Sequence, residues 1–240
     1  MNGTLIDITE PKREQQRKND FIAMVSHELK TPLASMKLYL QLLQQHAGQK
    51  QDPVVSGTLV KAVRQVKKMI GMINSFLNVS RLEAGKMRID KQVFDIRELL
   101  AEIEEETSTT VTSHPVIYSS VAVKVNADRE KISQVVHNLI SNATKYSAAR
   151  SPIAINCHYE EGYALVSVTD RGIGVNDEHR ERLFEQYYRV EADRGESVSG
   201  FGIGLYLSAE IISRHDGTIW VESEPGRGST FFFKIPALGG

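Results

Sequence analysis

The sequence predicts an α+β fold in which an antiparallel helical hairpin precedes an α/β sandwich. Apolar residues recur every three or four positions through the first third of the chain, which is the spacing of helices that pack along a seam. After Gly85 the sequence changes to short β-type runs that alternate with helical segments. With 240 residues, of which 41% are hydrophobic, the chain is long enough for one hairpin and one sandwich.

The first helix is predicted from Pro11 to about Ala47, and turn residues at 47–53 separate it from a second helix that reaches Leu77. The apolar positions of the two seams are Ile22, Val25, Leu29, Leu33, Met36, Leu40 and Leu43, and then Leu59, Val63, Val66, Ile70, Ile73 and Leu77. Two paired helices leave one apolar side open, and a twofold-symmetric dimer that forms a four-helix bundle covers it most simply. We therefore predict a homodimer.

Three segments follow along the chain. Residues 1–10 read as the end of a strand without a partner, so we predict a remnant of an upstream sensor or linker there. The hairpin then occupies residues 11–87 and the sandwich residues 88–240. Within the sandwich the pattern predicts a helix near 95–107, strands near 116–125, a helix at 128–146, a hairpin of 153–159 with 163–170, a glycine-rich charged stretch at 170–202, a helix to about His215, and strands at 218–223 and 230–235.

Composition excludes several classes of function. The 29 Lys and Arg residues against 30 Asp and Glu give a net charge of −1, so the overall charge favours neither nucleic acid nor anionic lipid. The single cysteine, Cys157, fits a reducing compartment. No apolar run approaches the ~18 residues that a membrane span needs. We expect a cytoplasmic chain, and a span upstream in a longer protein would make it the cytoplasmic part of a membrane-bound sensor.

A histidine on the polar face of the first helix is the candidate nucleophile. His27 lies opposite the apolar seam and is therefore expected to face water. Glu28 can accept a hydrogen bond from one ring nitrogen, which leaves the other nitrogen free to attack an electrophile. Pro32 is expected to kink the helix just below, and Thr31 lies on the same face as His27. Taken alone, a helical histidine is more often an ordinary solvated residue.

A polar stripe marks the helix predicted at 128–146. Asn138, Asn142, Lys145 and Tyr146 share one face, apart from the apolar face of the same helix. Asparagine oxygens are hard ligands that suit Mg²⁺, a lysine donates to phosphate, and a tyrosine can flank a base or ribose. The stripe therefore predicts a magnesium–nucleotide site, against the alternative of an ordinary solvated face.

Two glycine-rich strings follow this helix. DRGIGV at 170–175 ends a strand, and GFGIGL at 200–205 opens a helix. Glycines before a helix let backbone N–H groups and the helix dipole meet a phosphate group. Neither string is a Walker A loop or a convincing dinucleotide fingerprint, so each alone is a weak signal. Their order along the chain, with LFEQYYR at 183–189 between them, is the stronger observation.

With these motifs in this order, the chain resembles the catalytic core of a bacterial two-component sensor histidine kinase. The resemblance covers about residues 11–236 and rests on FIAMVSHELKTPL at 21–33, NLISNATKY at 138–146, and the three motifs above. It implies a dimerisation and phosphoacceptor hairpin followed by a Bergerat-fold ATP-binding domain of the GHKL superfamily. It also implies that a PAS-type sensor precedes the chain.

The resemblance implies a role for each motif residue, with ATP and Mg²⁺ as cofactors. His27 would be autophosphorylated with Glu28 as its acid/base partner, and Thr31 would help to dephosphorylate the partner regulator. The implied nucleotide ligands are Asn138 and Asn142 for Mg²⁺, Lys145 and Arg189 for phosphate, Tyr146 for the nucleoside, Asp170 for the adenine amino group, and Gly172, Gly174, Gly200, Gly202 and Gly204 for the lid and phosphate cradle. The phosphoryl group would then pass to an aspartate of a response regulator receiver domain.

Two other classes of function remain as alternatives. One is an ATP hydrolase or ATP-gated clamp on the same fold, which a glutamate in place of Gln134 and the absence of His27 would favour; this sequence meets neither condition. The other is a non-catalytic dimeric scaffold, which replacement of Asn142 or Asp170 would favour. Arg171 and the HDG string at 215–217 depart from the usual pattern of the family, but neither is an assigned ligand.

Overall fold

The structure is a computed structural model that describes residues 31–43, 87–190 and 202–238, with scattered positions between 55 and 82. The chain divides into two compact units, Met1–Gly85 and Lys86–Gly240. The boundary predicted between residues 87 and 88 differs from this division by two residues. The predicted strand near residues 3–9 and the predicted turn at 47–53 lie outside the described residues.

The first unit is helical wherever the structure describes it. Residues 31–43 form a continuous helix, and the scattered positions up to residue 82 are also helical. Two predicted seam residues, Leu33 and Leu40, are 51% and 52% exposed in the single chain. Other large apolar side chains of this unit are similarly exposed, namely Leu38, Leu59, Val63, Val66 and Ile73. The unit therefore presents apolar surface that its own described residues do not cover.

The second unit is an α/β sandwich built on a five-stranded mixed sheet. Its elements are β1 (Gln92–Asp95), α1 (Ile96–Thr110), β2 (Val116–Ser120), β3 (Lys124–Ala127), α2 (Arg129–Tyr146), β4 (Ile153–Glu160), β5 (Tyr163–Asp170), α3 (Asp177–Arg180), a 3₁₀ turn (Glu181–Phe184), α4 (Gly204–Ser213), β6 (Thr218–Glu224) and β7 (Gly228–Pro236). The strand order is β2-β4-β5-β7-β6, and β1 and β3 form a separate two-stranded ribbon. In the main sheet β2 runs parallel to β4 and the other neighbours are antiparallel.

The core lies between the helices and the sheet. The apolar stripe of α2 is buried, and it consists of Ile132, Val135, Val136, Leu139, Ile140 and Ala143. Alternate residues of β7 are buried in this core, and Phe233 is fully buried. Cys157 of β4 is buried as well, and burial raises the pKa of its thiol to about 12. This cysteine is therefore a packing residue of the core.

The sequence analysis missed three features of this unit. β1 was not predicted, because this ribbon strand has only four residues. Its Val93 is 63% exposed, so the segment shows little apolar pattern. The strands predicted near 116–125 are β2 and β3, which belong to different sheets. The stretch predicted as glycine-rich contains α3 and the 3₁₀ turn, which are too short to show a helical period.

The β4–β5 hairpin forms where the sequence predicted it. Glu161 and Gly162 have positive φ angles of 47° and 89°, as a two-residue hairpin turn requires. Within the part of the chain that the structure describes, no helix is long and apolar enough to cross a membrane.

Candidate functional site

The polar stripe of α2 faces outward because the opposite stripe is buried in the core. α2 begins after Asp128, whose carboxylate accepts a hydrogen bond from Lys131 N at 3.1 Å. Asn138 and Asn142 are half-buried, whereas Lys145 and Tyr146 at the last turn are exposed. The predicted stripe therefore exists as a continuous polar edge of this helix.

Asn138 contacts the first turn of α4. Its Nδ2 donates to Ser208 Oγ at 3.0 Å, and Ser208 Oγ donates to the Gly204 carbonyl at 3.0 Å. A Cβ at position 204 would lie 2.4 Å from Asn138 Oδ1, so any other residue at the start of α4 would displace the Asn138 amide. Ser208 was missed by the sequence analysis, since only the packing of two helices brings it to Asn138.

The N-terminus of α4 is suited to an anion. The N-cap residue of this helix, Ile203, makes no side-chain capping hydrogen bond, and an α-helix leaves its first N–H groups without partners inside the helix. The helix dipole adds a partial positive charge at the same end. The contact with Asn138 places the amide of α2 beside these donors. Together they can hold a phosphate group and the cation that accompanies it.

Asp170 ends β5 beside the C-terminal end of α2. Its carboxylate is buried, with the residue 5% exposed, and Oδ1 accepts from Gly172 N at 2.7 Å. Burial raises the pKa of this carboxyl, and hydrogen bonds from the Gly172 and Ser229 backbone partly offset the rise. A buried carboxylate that keeps acceptor capacity can bind the amino group of a ligand.

The loop after Asp170 packs closely on both of its neighbours. Ile173 N donates to the Tyr146 carbonyl at 3.3 Å, and a Cβ at Gly172 would lie 2.6 Å from that same oxygen. Gly174 has a φ of +69°, and a Cβ there would lie 2.1 Å from the Glu224 carbonyl oxygen. Gly172 is therefore required for the loop to approach the end of α2, and Gly174 for it to approach the end of β6.

Ser147 is a second residue that the sequence analysis missed. It caps α2, and its backbone pairs with Gly172. Its Oγ is buried and has no hydrogen-bond partner in the described part of the chain. The hydroxyl lies close enough to the Asp170 carboxylate to lower the pKa of that carboxyl. A buried hydroxyl left unsatisfied beside a buried carboxylate indicates a site for a polar ligand.

The segment at 183–189 meets the second glycine string. Tyr187 N donates to the Gly202 carbonyl at 3.0 Å, and Gly202 has a φ of +65° that favours glycine. Arg189 is half-buried at the end of this segment. The structure therefore joins these two motifs through their backbones, just ahead of α4.

Lys145 and Thr31 are the remaining predicted residues that the structure describes. Lys145 Nζ lies 4.9 Å from the centroid of the Tyr146 ring, over its face. Thr31 is an exposed residue of the helix at 31–43 in the first unit. His27, Glu28 and Gly200 lie outside the described residues.

A metal ion at this site would depend on amide oxygens and on the nucleotide. No cluster of three or more His, Cys, Asp or Glu side chains suited to a metal exists in 31–43, 87–190, 202–238 or the scattered described positions. Mg²⁺ is commonly bound by one or two protein oxygens, substrate phosphates and water. The oxygens of Asn138 and Asn142, beside an uncapped helix N-terminus, fit that mode of binding.

Two family profiles match the chain. Residues 17–85 match the "His Kinase A (phospho-acceptor) domain", and residues 127–239 match the "Histidine kinase-, DNA gyrase B-, and HSP90-like ATPase". The first match spans the helical unit and the second spans the polar edge of α2, Asp170 and both glycine strings. ATP binding is the property that the second family name implies.

Relatives and solved structures agree with these profiles. The sensor histidine kinase WalK of Bacillus subtilis is 31% identical over 239 residues, and the match covers 98% of this chain and 39% of that protein. The histidine kinase AdeS of Acinetobacter baumannii has a TM-score of 0.66 at 21% identity, over 89% of this chain and 98% of that structure. The histidine kinase ThkA in complex with the response regulator protein TrrA has a TM-score of 0.63 at 22% identity, over 98% of this chain and 68% of that one.

Proposed function

Because this chain belongs to the sensor histidine kinases, we propose that it uses Mg²⁺-bound ATP to phosphorylate its own His27. The phosphoryl group then passes to an aspartate of a response regulator receiver domain. The chain spans less than half the length of the curated relative WalK, so this activity is assigned to the core that the chain contains. A PAS-type sensor upstream is part of the proposal for the longer protein.

The main support for the proposal is that two candidate binding sites lie along the same helix, α2. Asp170 and Ser147 lie at its C-terminal end, and Asn138 meets the uncapped start of α4 further back. Asn138 and Tyr146 are eight positions apart, about 12 Å along a helix at 1.5 Å per residue. This spacing suits a nucleotide with its adenine at Asp170 and its phosphates at the N-terminus of α4.

Each residue then has a task in phosphoryl transfer. Asp170 accepts from the adenine amino group and fixes the orientation of the base. Asn138 and Asn142 hold Mg²⁺, which when bound neutralises phosphate charge, and the first N–H groups of α4 hold phosphate oxygens. Lys145 and Arg189 add positive charge at the phosphates. Positioning and charge neutralisation of this kind supply most of the catalysis in phosphoryl transfer.

The histidine supplies the nucleophile. A neutral imidazole attacks through one ring nitrogen while Glu28 accepts a hydrogen bond from the other, which keeps the attacking lone pair free. The γ-phosphorus forms a bond to the ring nitrogen as its bond to the β–γ bridging oxygen of ATP breaks, and ADP leaves. Thr31 lies one helical turn beyond His27 and positions water when the regulator is dephosphorylated.

A homodimer and a regulator are the proposed partners. The exposure of Leu33 and Leu40 supports a second copy packed on the hairpin, as the phosphoacceptor family profile also implies. Met24, Thr31 and Leu38 are proposed to form part of the docking surface for the regulator, and Leu38 is 54% exposed. Met24 lies outside the described residues. The proposed location is the cytoplasm, where a response regulator would be met.

Labelled ATP tests the proposal directly. Incubation of the chain with Mg²⁺ and ATP labelled at the γ-phosphate should give a protein-bound label that is acid-labile and base-stable, as a phosphohistidine is. The label should be absent from His27→Ala and present at the wild-type level in His158→Ala, whose histidine is exposed on β4 away from the site. Retention of the label in His27→Ala would refute the assignment.

A further inference from the structure

His179 of α3 and Tyr188 are joined by a short hydrogen bond outside the motif residues assigned above. His179 Nδ1 lies 2.6 Å from Tyr188 Oη. On the other side of the ring, Nε2 lies 3.4 Å from Glu178 Oε1, and an ionised carboxylate can only accept. With the imidazole proton on Nε2, on the side of Glu178, the Tyr188 hydroxyl donates to Nδ1.

A second contact holds the face of the same tyrosine ring. The Arg182 guanidinium carbon lies 4.1 Å from the centroid of the Tyr188 ring, within the range of a cation–π contact. Arg182 Nε also lies 3.8 Å from Glu185 Oε2. Tyr188 is therefore held at its hydroxyl by α3 and over its face by the 3₁₀ turn.

The backbone at Tyr188 continues this chain of contacts to the nucleotide site. A Cβ at Gly202 would lie 2.6 Å from the Tyr188 carbonyl oxygen, and Tyr187 N donates to the Gly202 carbonyl at 3.0 Å. Gly202 precedes by two residues the start of α4 at Gly204, which packs against Asn138. A displacement of Tyr188 would therefore displace the point where α4 begins.

We propose that His179 is a positioning residue for the phosphate end of the nucleotide site, acting through Tyr188. It does not touch the nucleotide. By fixing Tyr188 it holds Arg189, the next residue, and the Gly202 backbone that leads into α4. The inference rests on the proposed binding of ATP. It gives a role to His179, which lies between the two glycine strings at 170–175 and 200–205 and belongs to neither.

The test compares the affinity of single variants for ATP, ADP and AMP in the presence of Mg²⁺. Tyr188→Phe removes only the hydroxyl, and His179→Ala removes its acceptor. Each should weaken ATP binding about fivefold, the effect of losing one neutral hydrogen bond. The loss should be smaller for ADP and absent for AMP, because the adenine end does not depend on this contact. A purely structural defect would weaken all three nucleotides equally.

Three further measurements separate positioning from damage. His179→Asn keeps an acceptor near the place of Nδ1 and should restore most of the ATP affinity. The double variant should be no weaker than either single variant, because both remove one interaction. Tyr159→Phe, which removes an exposed hydroxyl on β4, should bind like the wild type. Thermal unfolding of Tyr188→Phe and of His179→Ala without nucleotide should keep one cooperative transition, with a midpoint about 2–4 °C below that of the wild type, because the lost hydrogen bond is also present in the free protein.

The possible failures are distinct. Wild-type ATP affinity in both Tyr188→Phe and His179→Ala would overturn the positioning role and leave the proposed kinase function intact. Equal losses for ATP and AMP, or additive losses in the double variant, would overturn it as well. Failure of the wild-type chain to bind ATP would instead overturn the proposed function.

Discussion

Asp170 and His215 are both buried polar residues, but they differ in whether their hydrogen-bonding groups are fully used inside the protein. His215 Nε2 accepts from Asp128 N at 2.9 Å, and Nδ1 donates to the Ile211 carbonyl at 2.7 Å, so both ring nitrogens are occupied. Asp170 has donors from nearby backbone but also an unsatisfied hydroxyl beside it. His215 therefore joins α2 to the end of α4, whereas Asp170 is suited to a ligand.

The pH dependence of stability should report on His215. Burial is the main cause that lowers the pKa of this imidazole below its ordinary 6.5, because a buried ring loses the water that would stabilise its charged form. Lys91 lowers the pKa further, while the Ile211 carbonyl, Asp128 and Asp216 raise it. The stability that neutral His215 contributes is complete above pH 6.5. It is lost as the pH falls from there towards the lower folded-state pKa.

Urea unfolding at pH 7.5 and pH 5.5 measures this effect. The free energy of unfolding should fall between these two conditions, and it should fall less in His215→Gln, whose side-chain oxygen can still accept from Asp128 N. His158→Gln removes an exposed histidine and should keep the wild-type pH dependence. An equal fall in the wild type and in His215→Gln would show that His215 does not titrate on unfolding.

At the scale of elements, the site depends on the close approach of α2 and α4. α2 has two faces, one buried in the core and one polar, and its N-terminus is fixed by the Asp128 carboxylate and by His215. α4 starts at Gly204, and its N-cap residue Ile203 makes no side-chain capping hydrogen bond. The two helices therefore bring an amide and a helix terminus to one point.

Gly204→Ala tests this approach. Alanine favours an isolated helix over glycine by about 1 kcal/mol, yet here its Cβ would lie 2.4 Å from Asn138 Oδ1 and must displace that amide. We expect ATP affinity to fall at least tenfold, with a smaller change in thermal stability. Titration with a fluorescent ATP analogue and calorimetry of the free protein would measure the two effects.

Gly57→Ala is the matched control for that substitution. Gly57 is also helical, and a Cβ there meets no described atom within 4 Å. It should leave ATP affinity unchanged and raise stability by a few tenths of a kcal/mol to about 1 kcal/mol. Unchanged ATP affinity in Gly204→Ala would contradict a phosphate site at the start of α4.

At the scale of the whole molecule, the two units differ in how they cover apolar surface. The sandwich buries a core of large side chains inside one chain, including Ile96, Leu99, Leu100 and Phe233. The helical unit leaves Leu33, Leu40 and other described seam positions about half exposed. Exposed apolar side chains on this scale favour association with another protein surface.

Dimerisation follows from this difference and can be measured by sedimentation. The chain should sediment as a dimer at micromolar concentration, and the double substitution Leu33→Glu, Leu40→Glu should shift it to monomer, because buried unpaired charge opposes packing. Val93→Glu places a charge on an apolar residue of the sandwich that is 63% exposed and should leave the dimer intact. A wild-type chain that sediments only as a monomer would contradict the prediction.

Periodicity and motif order predicted much of this protein before any contact was known. The buried stripe of α2, the β4–β5 hairpin and the end of β5 at Asp170 lie where the sequence places them. Such features depend on residues close together in the chain, so their pattern is visible locally. The family profiles confirm the kinase resemblance, which rested on ordered motifs of the same local kind.

Tertiary structure alone decided which residues meet across the chain. Ser208 reaches Asn138, Ser147 pairs with Gly172, and His179 bonds to Tyr188 only because separate elements pack together. The short β1 and α3 were also invisible to periodicity, since four residues complete too little of a repeat. The sequence by itself determined the longer elements and the kind of chemistry, and packing determined the contacts that hold the residues in place.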